Sequence, residues 1–157
     1  MKILFVCAGN HCSSILSEAI TNFADDPRLQ AASVASQDRC EVHPLSLQFL
    51  QQAGIPTGNL KSQSWDELTN FHPDVVMAVN QSVDENSYPH WLDNSIKLRW
   101  NLDDPSSKQG SALQIKVAFL ACLNDILCRT HEILDLDLEN LTPDALKHAF
   151  MELGAEV

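Results

Sequence analysis

Apolar positions recur along the chain in two alternating rhythms. Ile3, Leu4, Phe5 and Val6 make a continuous apolar run within Lys2 to Cys7, the pattern of a strand buried on both faces. The run breaks at Ala8-Gly9-Asn10-His11. From Ser14, apolar residues return at Ile15, Leu16, Ala19, Ile20 and Phe23, the stripe of an amphipathic helix. Ala32 to Ala35 predicts a second short strand. Pro44 opens a helix carrying Leu45, Leu47, Phe49 and Leu50, which Gly54 and Pro56 stop. Ser64-Trp65-Asp66-Glu67 places an acid three residues after a serine, the spacing of a capping box. Val75 to Val79 is another apolar strand, and Ile96 to Trp100 alternates like a strand with one wetter face. A long helix is expected from about Ser111 to Leu134. Thr142-Pro143 caps and opens a last one that ends near Gly154.

The resulting order is β-α-β-α-α-β-β-α-α. Strands separated by helices imply parallel pairing with helices on both sheet faces, an α/β domain of three layers around a four-stranded parallel sheet. With 157 residues the chain fits one domain over 1–157, with a helical C-terminal part at about 142–154. In open parallel sheets ligands sit beyond the carboxyl ends of the strands, and the loop after Val6 lies at such an end.

A net charge of −11 argues against nucleic acid as a partner and also works against small anions. An anion site must therefore be built locally, from backbone N–H groups and a helix N-terminus. No apolar run approaches the roughly 20 residues of a membrane span. The apolar start is cut by Gly9 and Asn10 and lacks the h-region of a signal peptide, so a cytoplasmic location is expected. The five cysteines, Cys7, Cys12, Cys40, Cys122 and Cys128, are odd in number and contain no CxxC pair, which speaks against a disulfide scaffold. Cys122 and Cys128 lie on a mostly apolar helix and read as core. Cys40 lies in a polar segment and is the candidate for an exposed thiol.

Candidate chemistry concentrates at Cys7. A loop between a strand end and a helix start can aim several N–H groups at one point, with the helix dipole behind them. Such a nest holds a tetrahedral oxyanion above a thiol at its base. Gly9 permits close approach, and Asn10 tolerates a left-handed backbone while bonding within the loop. These features alone fit equally a tight turn around a buried cysteine.

The segment ILFVCAGNHCSSILSEAI at 3–20 resembles the signature of the low-molecular-weight tyrosine phosphatases and the arsenate reductases related to them. The Cys7 to Cys12 spacing, Asn10, Ser14 and Glu18 all match it. The resemblance continues through VHPLSL at 42–47, GIPTGNLKSQSWDEL at 54–68, PDVVMAV at 73–79 and RWNLDDPS at 99–106. It is strongest to the proteobacterial arsenate reductases that use several cysteines. It implies that Cys7 is the nucleophile and that the oxyanion (phosphate, arsenate or sulfate) is held by the amides of Ala8, Gly9, Asn10, His11, Cys12, Ser13 and Ser14. It further implies that Ser14 donates to the Cys7 thiolate and that Asp104, directly before Pro105, is the general acid.

Three positions depart from that pattern. Ser13 replaces the arginine that clamps the anion and stabilises transition-state charge. Asn80 and Tyr88 stand where the reductases place their attacking and relay cysteines, and neither side chain forms a disulfide. Rescue of the charge by Arg39 or Arg99 is a remote alternative. Cys7, His11 and Cys12 form too small a set for zinc, so neither metal nor cofactor is expected. Two functions follow. One is an impaired enzyme of phosphatase or reductase type, served by an external thiol such as glutathione or thioredoxin. The other is a non-catalytic relative that binds an oxyanion, a thiol or a partner.

Overall fold

The computed structural model describes residues 1–157 as one α/β domain. Its sheet has four strands, β1 (Lys2–Cys7), β2 (Gln30–Ala35), β3 (Val75–Ala78) and β4 (Ile96–Arg99), in the order β2-β1-β3-β4. All neighbours pair in parallel, with Leu4 beside Ala32 and Val76, and Met77 beside Leu98. The central position of β1 accounts for its unbroken apolar run, because both its faces must be buried. β4 lies at an edge, and the chain end covers part of it. Arg99 and Glu156 exchange two backbone hydrogen bonds of 2.7 and 2.9 Å in an antiparallel bridge.

The helices are α1 (Ser13–Phe23), α2 (Pro44–Gln52), α3 (Ala112–Leu134) and α4 (Pro143–Glu152). Their ends follow local chemistry. His43 caps α2 and Pro44 opens it, while Gly54, at φ 78°, takes the chain out through a left-handed turn. Ser111 and Gln114 form a capping box on α3, and the Thr142 hydroxyl caps α4.

The three layers are unequal. Ile3, Phe5 and Cys7 point to the face where all four α-helices contribute to one large core, among them Leu16, Phe49, Phe119 and Phe150. Leu4 and Val6 point to the other face. There the cover consists of the short 3-10 helices Trp65–Glu67, Glu85–Ser87 and His90–Leu92, filled in by Trp65, Tyr88 and Trp91. The helices expected on this second face are thus replaced by single turns and aromatic rings. The Ser64–Glu67 capping box is present but holds only one turn.

One cysteine assignment is corrected. Cys122 is buried, but Cys128 is exposed rather than part of the core. Six residues at about 100° each carry it roughly 240° around α3, away from the sheet. The apolar character of α3 comes from both its faces, so composition did not separate them.

Phe119 is fully buried, stacked on Phe49 at 5.1 Å and beside the His43 ring at 6.0 Å. It ties α3 to α2 and to the residue that enters α2. Phe119→Ala is expected to lower the unfolding free energy by about 3–5 kcal/mol, read from chemical denaturation. A loss near zero would show that this contact does not hold the helical layer together.

Candidate active site

Cys7 ends β1, and the backbone from Ala8 to Cys12 loops over to the start of α1. The peptide groups of this loop are sorted by direction. The carbonyls of Cys7, Ala8, Gly9, His11 and Cys12 accept bonds of 2.8–3.0 Å from the amides of Ser36, Gln37, Cys40, His43 and Leu16. The amides of Ala8, Gly9, Asn10, His11 and Cys12 donate to no protein acceptor. Those of Ser13 and Ser14 belong to the first turn of α1, where intrahelical acceptors do not exist. Carbonyls are spent on the scaffold and amides are left over, which is the arrangement of an anion nest at a helix N-terminus.

Asn10 holds the loop in shape. It is fully buried and adopts φ 50°, the left-handed conformation that asparagine tolerates. Its Nδ2 donates to Ser14 Oγ and Ser33 Oγ, both at 2.9 Å, and its Oδ1 accepts from the Gln63 amide at 2.7 Å. The loop is thereby tied to α1, β2 and the segment before Ser64. Because Asn10 donates to Ser14, the Ser14 hydrogen is left for the Cys7 sulfur, 2.8 Å away. Ser33 passes its own hydrogen to Glu18, closing a buried chain Cys7–Ser14–Asn10–Ser33–Glu18.

Ser13 is buried, and its hydroxyl has no hydrogen-bond partner. No arginine compensates. Arg28 is held by Asp26, Arg39 by Glu67, and Arg129 by Asp125 and the Trp100 ring. Arg99 donates to the carbonyls of Asn80 and Val83 and to Glu85. Cys12 faces inward, near Ser46, Ser106 and Asp104. Burial pushes its thiol up to about 12, with Asp104 adding to the effect and the two serines opposing it. It therefore stays a neutral thiol at ordinary pH.

Asp104 is half-buried and caps the turn Pro105–Ser107, accepting from the Ser106 amide at 2.9 Å and the Ser106 hydroxyl at 2.6 Å. Ser106 Oγ also lies 3.4 Å from His11 Nε2, which brings the Asp104 segment against the loop. Asp103 points to solvent. Asn80 and Tyr88 have structural work. The Asn80 carboxamide accepts from the amide and hydroxyl of Ser82 in a local turn. Tyr88 packs edge-on against Trp65 at 5.9 Å. Burial, then Glu85, pushes its phenol up to about 12. No three His, Cys, Asp or Glu side chains are grouped to share a metal ion.

Residues 2–140 match the family described as low molecular weight phosphotyrosine protein phosphatase. The chain belongs to this family. Curated relatives include a glutaredoxin arsenate reductase of Synechocystis sp., 26% identical over 118 residues that span 73% of this chain and 83% of that one. An arsenate reductase of Staphylococcus aureus is 28% identical over 114 residues, 71% of this chain and 84% of that one. An arsenate reductase solved in a phosphate-binding state superposes with a TM-score of 0.68 at 21% identity, covering 85% of this chain and 95% of the other. The arginine phosphatase YwlE of Geobacillus stearothermophilus does so with 0.67 at 19%, covering 90% and 97%. At these identities the two structures attest the shared fold.

Ser33, Gln63 and Ser106 escaped the sequence reading as parts of this phosphatase-family site. The one available signal was Ser33 itself, a hydroxyl within a strand that is otherwise apolar from Ala31 to Ala35.

Glu18 anchors the far end of the buried chain. Burial pushes its carboxyl from 4.5 up to about 7, and the Ser33 hydroxyl offsets part of that. Between these values the folded chain keeps a proton that the unfolded chain has lost. Folding is thus unpenalised below about pH 4.5 and becomes costlier as pH rises through 7, by about 3 kcal/mol in all. Glu18→Gln removes this slope. In denaturation curves from pH 4 to 8 the stability of the variant relative to the native chain should grow by up to that amount. Parallel pH profiles for the two proteins would contradict it.

Proposed function

We propose that this phosphatase-family protein binds a tetrahedral oxyanion, phosphate, arsenate or sulfate, in the loop above Cys7, and that its ancestral catalysis is impaired. The observation that carries the reading is the set of loop amides with no protein acceptor, in a loop that starts at Cys7, whose sulfur lies 2.8 Å from the Ser14 hydroxyl. In this reading Cys7 is the nucleophile, the amides from Ala8 to Ser14 hold the anion, and Asp104 is the proton donor to a leaving group.

The impairment rests on charge and on thiols. Ser13 contributes a neutral hydroxyl where the family resemblance places a guanidinium, and each of the four arginines is engaged elsewhere. Loss of a charge-assisted pair weakens anion binding by roughly 1.5–3 kcal/mol. Loss of a transition-state donor slows turnover by about 10²–10³. Asn80 and Tyr88 supply no second thiol, and both side chains are engaged in local structure. Any electron transfer to a bound arsenate then depends on an outside thiol. The Synechocystis relative is a glutaredoxin arsenate reductase, and an arsenate reductase of the same fold from Corynebacterium glutamicum is thioredoxin-dependent. The unsatisfied, buried Ser13 hydroxyl also favours a second reading, a binding protein without turnover, in which the same loop serves as a sensor or carrier of the anion.

Ser13→Arg separates these terms. The variant is expected to bind phosphate about 10–100-fold more tightly and to hydrolyse an aryl phosphate about 10²–10³ faster than the native chain. Thioredoxin-coupled arsenate reduction should stay at background until Asn80→Cys and Tyr88→Cys are added. Rapid thioredoxin-coupled reduction by the unaltered protein would overturn the proposal. Aryl phosphate hydrolysis that stays absent in both the native chain and Ser13→Arg, with tighter phosphate binding in the variant, would favour the binding protein.

A further inference from the structure

The long helix α3 is apolar on two faces. Phe119, Ile126 and Ile133 stand seven residues apart on the inner face and are buried. Leu113, Leu120 and Leu127 stand seven apart on the outer face and are 69%, 44% and 41% exposed. Val117, Asn124 and His131 alternate with these leucines and are exposed as well. The six outer residues are spaced four and three apart in turn, which keeps them in one stripe about 80° wide. No other element of the chain covers this stripe.

A strict seven-residue repeat outside the core is the pattern of a coiled-coil seam. Its composition points to the occupant. Leucine fills all three positions of one kind, and Val117 and Asn124 occupy the other kind. A β-branched residue facing such leucines favours two parallel strands, and a single asparagine among them sets the register. That asparagine is costly to bury unless a carboxamide meets it at the same level. A second copy of this chain in parallel supplies one, because each amide both donates and accepts. The seam is therefore complementary to itself. Charge agrees with this pairing. Two chains of net charge −11 repel each other, so a face on which they meet must be free of carboxylates. None of the six seam residues is among the 21 Asp and Glu of the chain. The flanking residues, Gln114, Ala121 and Cys128 on one side and Lys116 on the other, bring no carboxylate either.

We propose that α3 is a self-association surface that joins two copies of this chain in parallel about a two-fold axis, with Asn124 against Asn124 of the partner subunit. From Leu113 to His131 the seam runs about 27 Å along the helix. A helix about 10–12 Å across shields roughly 300 Å² of its neighbour in flat projection. Side-chain relief brings the accessible area on both copies to the order of 1,000 Å², the low end for a specific interface. The dimer is accordingly weak and reversible. Val117 and Ala121 also line a cleft of about 680 Å³ shared with Asp103 and Asp104, so the partner helix stands at its rim. The pairing does not depend on anion binding or turnover at Cys7.

Sedimentation equilibrium of the intact protein under reducing conditions tests the proposal. A monomer–dimer equilibrium is expected, with a dissociation constant of roughly 10–100 μM. It should tighten several-fold from about 50 to 300 mM NaCl, as salt screens the repulsion between the two chains. Leu120→Glu sets two carboxylates against each other at the axis and should weaken association at least about tenfold, while circular dichroism reports its folding. Leu113→Cys, in a Cys40→Ser, Cys128→Ser background, reads the direction of the pair. Mild oxidation should link the two introduced thiols, identified by peptide mass mapping, whereas an antiparallel pair holds them at opposite ends of the seam. A protein that stays monomeric at about 0.5 mM overturns the proposal. So does a dimer that salt dissolves or that Leu120→Glu leaves intact. A dimer without the crosslink overturns the parallel pairing through Asn124.

Discussion

The site depends on a division of labour within a few peptide groups. From Cys7 to Cys12 nearly every carbonyl is bound by the scaffold, while the amides between Ala8 and Cys12 have no protein acceptor. Such polarity in a largely buried loop is costly unless those donors meet a partner. It persists because Asn10, in a left-handed conformation, bonds to α1, β2 and the Gln63 backbone at once. The same side chain orients Ser14 toward Cys7. The position of β1 at the centre of the sheet then fixes where the sulfur sits, at the carboxyl end of the strand and before the helix.

Electrostatics set the limits of this site. The chain carries a net charge of −11, so long-range attraction for an anion is absent and the local amides must overcome a repulsive field. In phosphatase-type chemistry a guanidinium would balance both. Here Ser13 leaves the amides and the α1 dipole as the sources of positive potential at the loop. On the proposed reading, that arrangement is suited to holding an anion more than to stabilising the extra charge of a transition state.

Most of the architecture was legible in the sequence because it follows from periodicity and capping. The apolar run of β1, the stripe of α1 and the caps at Ser111 and Thr142 all appear in the structure within a residue or two. The family could be read from the segment around Cys7, and the match over residues 2–140 agrees. What escaped was whatever depends on long-range placement. Cys128 looked like core because α3 is apolar on two faces. The second sheet face looked helical because a capping box signals a start and not a length. Ser33, Gln63 and Ser106 lie 23, 53 and 95 residues from the loop partners they bind, beyond any local pattern.

The central claim is that backbone amides alone make the anion site. Titration of the native protein with inorganic phosphate, followed by NMR of backbone amides, tests it directly. The account predicts saturable shifts concentrated on the amides from Ala8 to Ser14, which persist in Cys7→Ser and vanish in Asn10→Ala. Shifts spread over surface lysines, or none at millimolar phosphate, would contradict it.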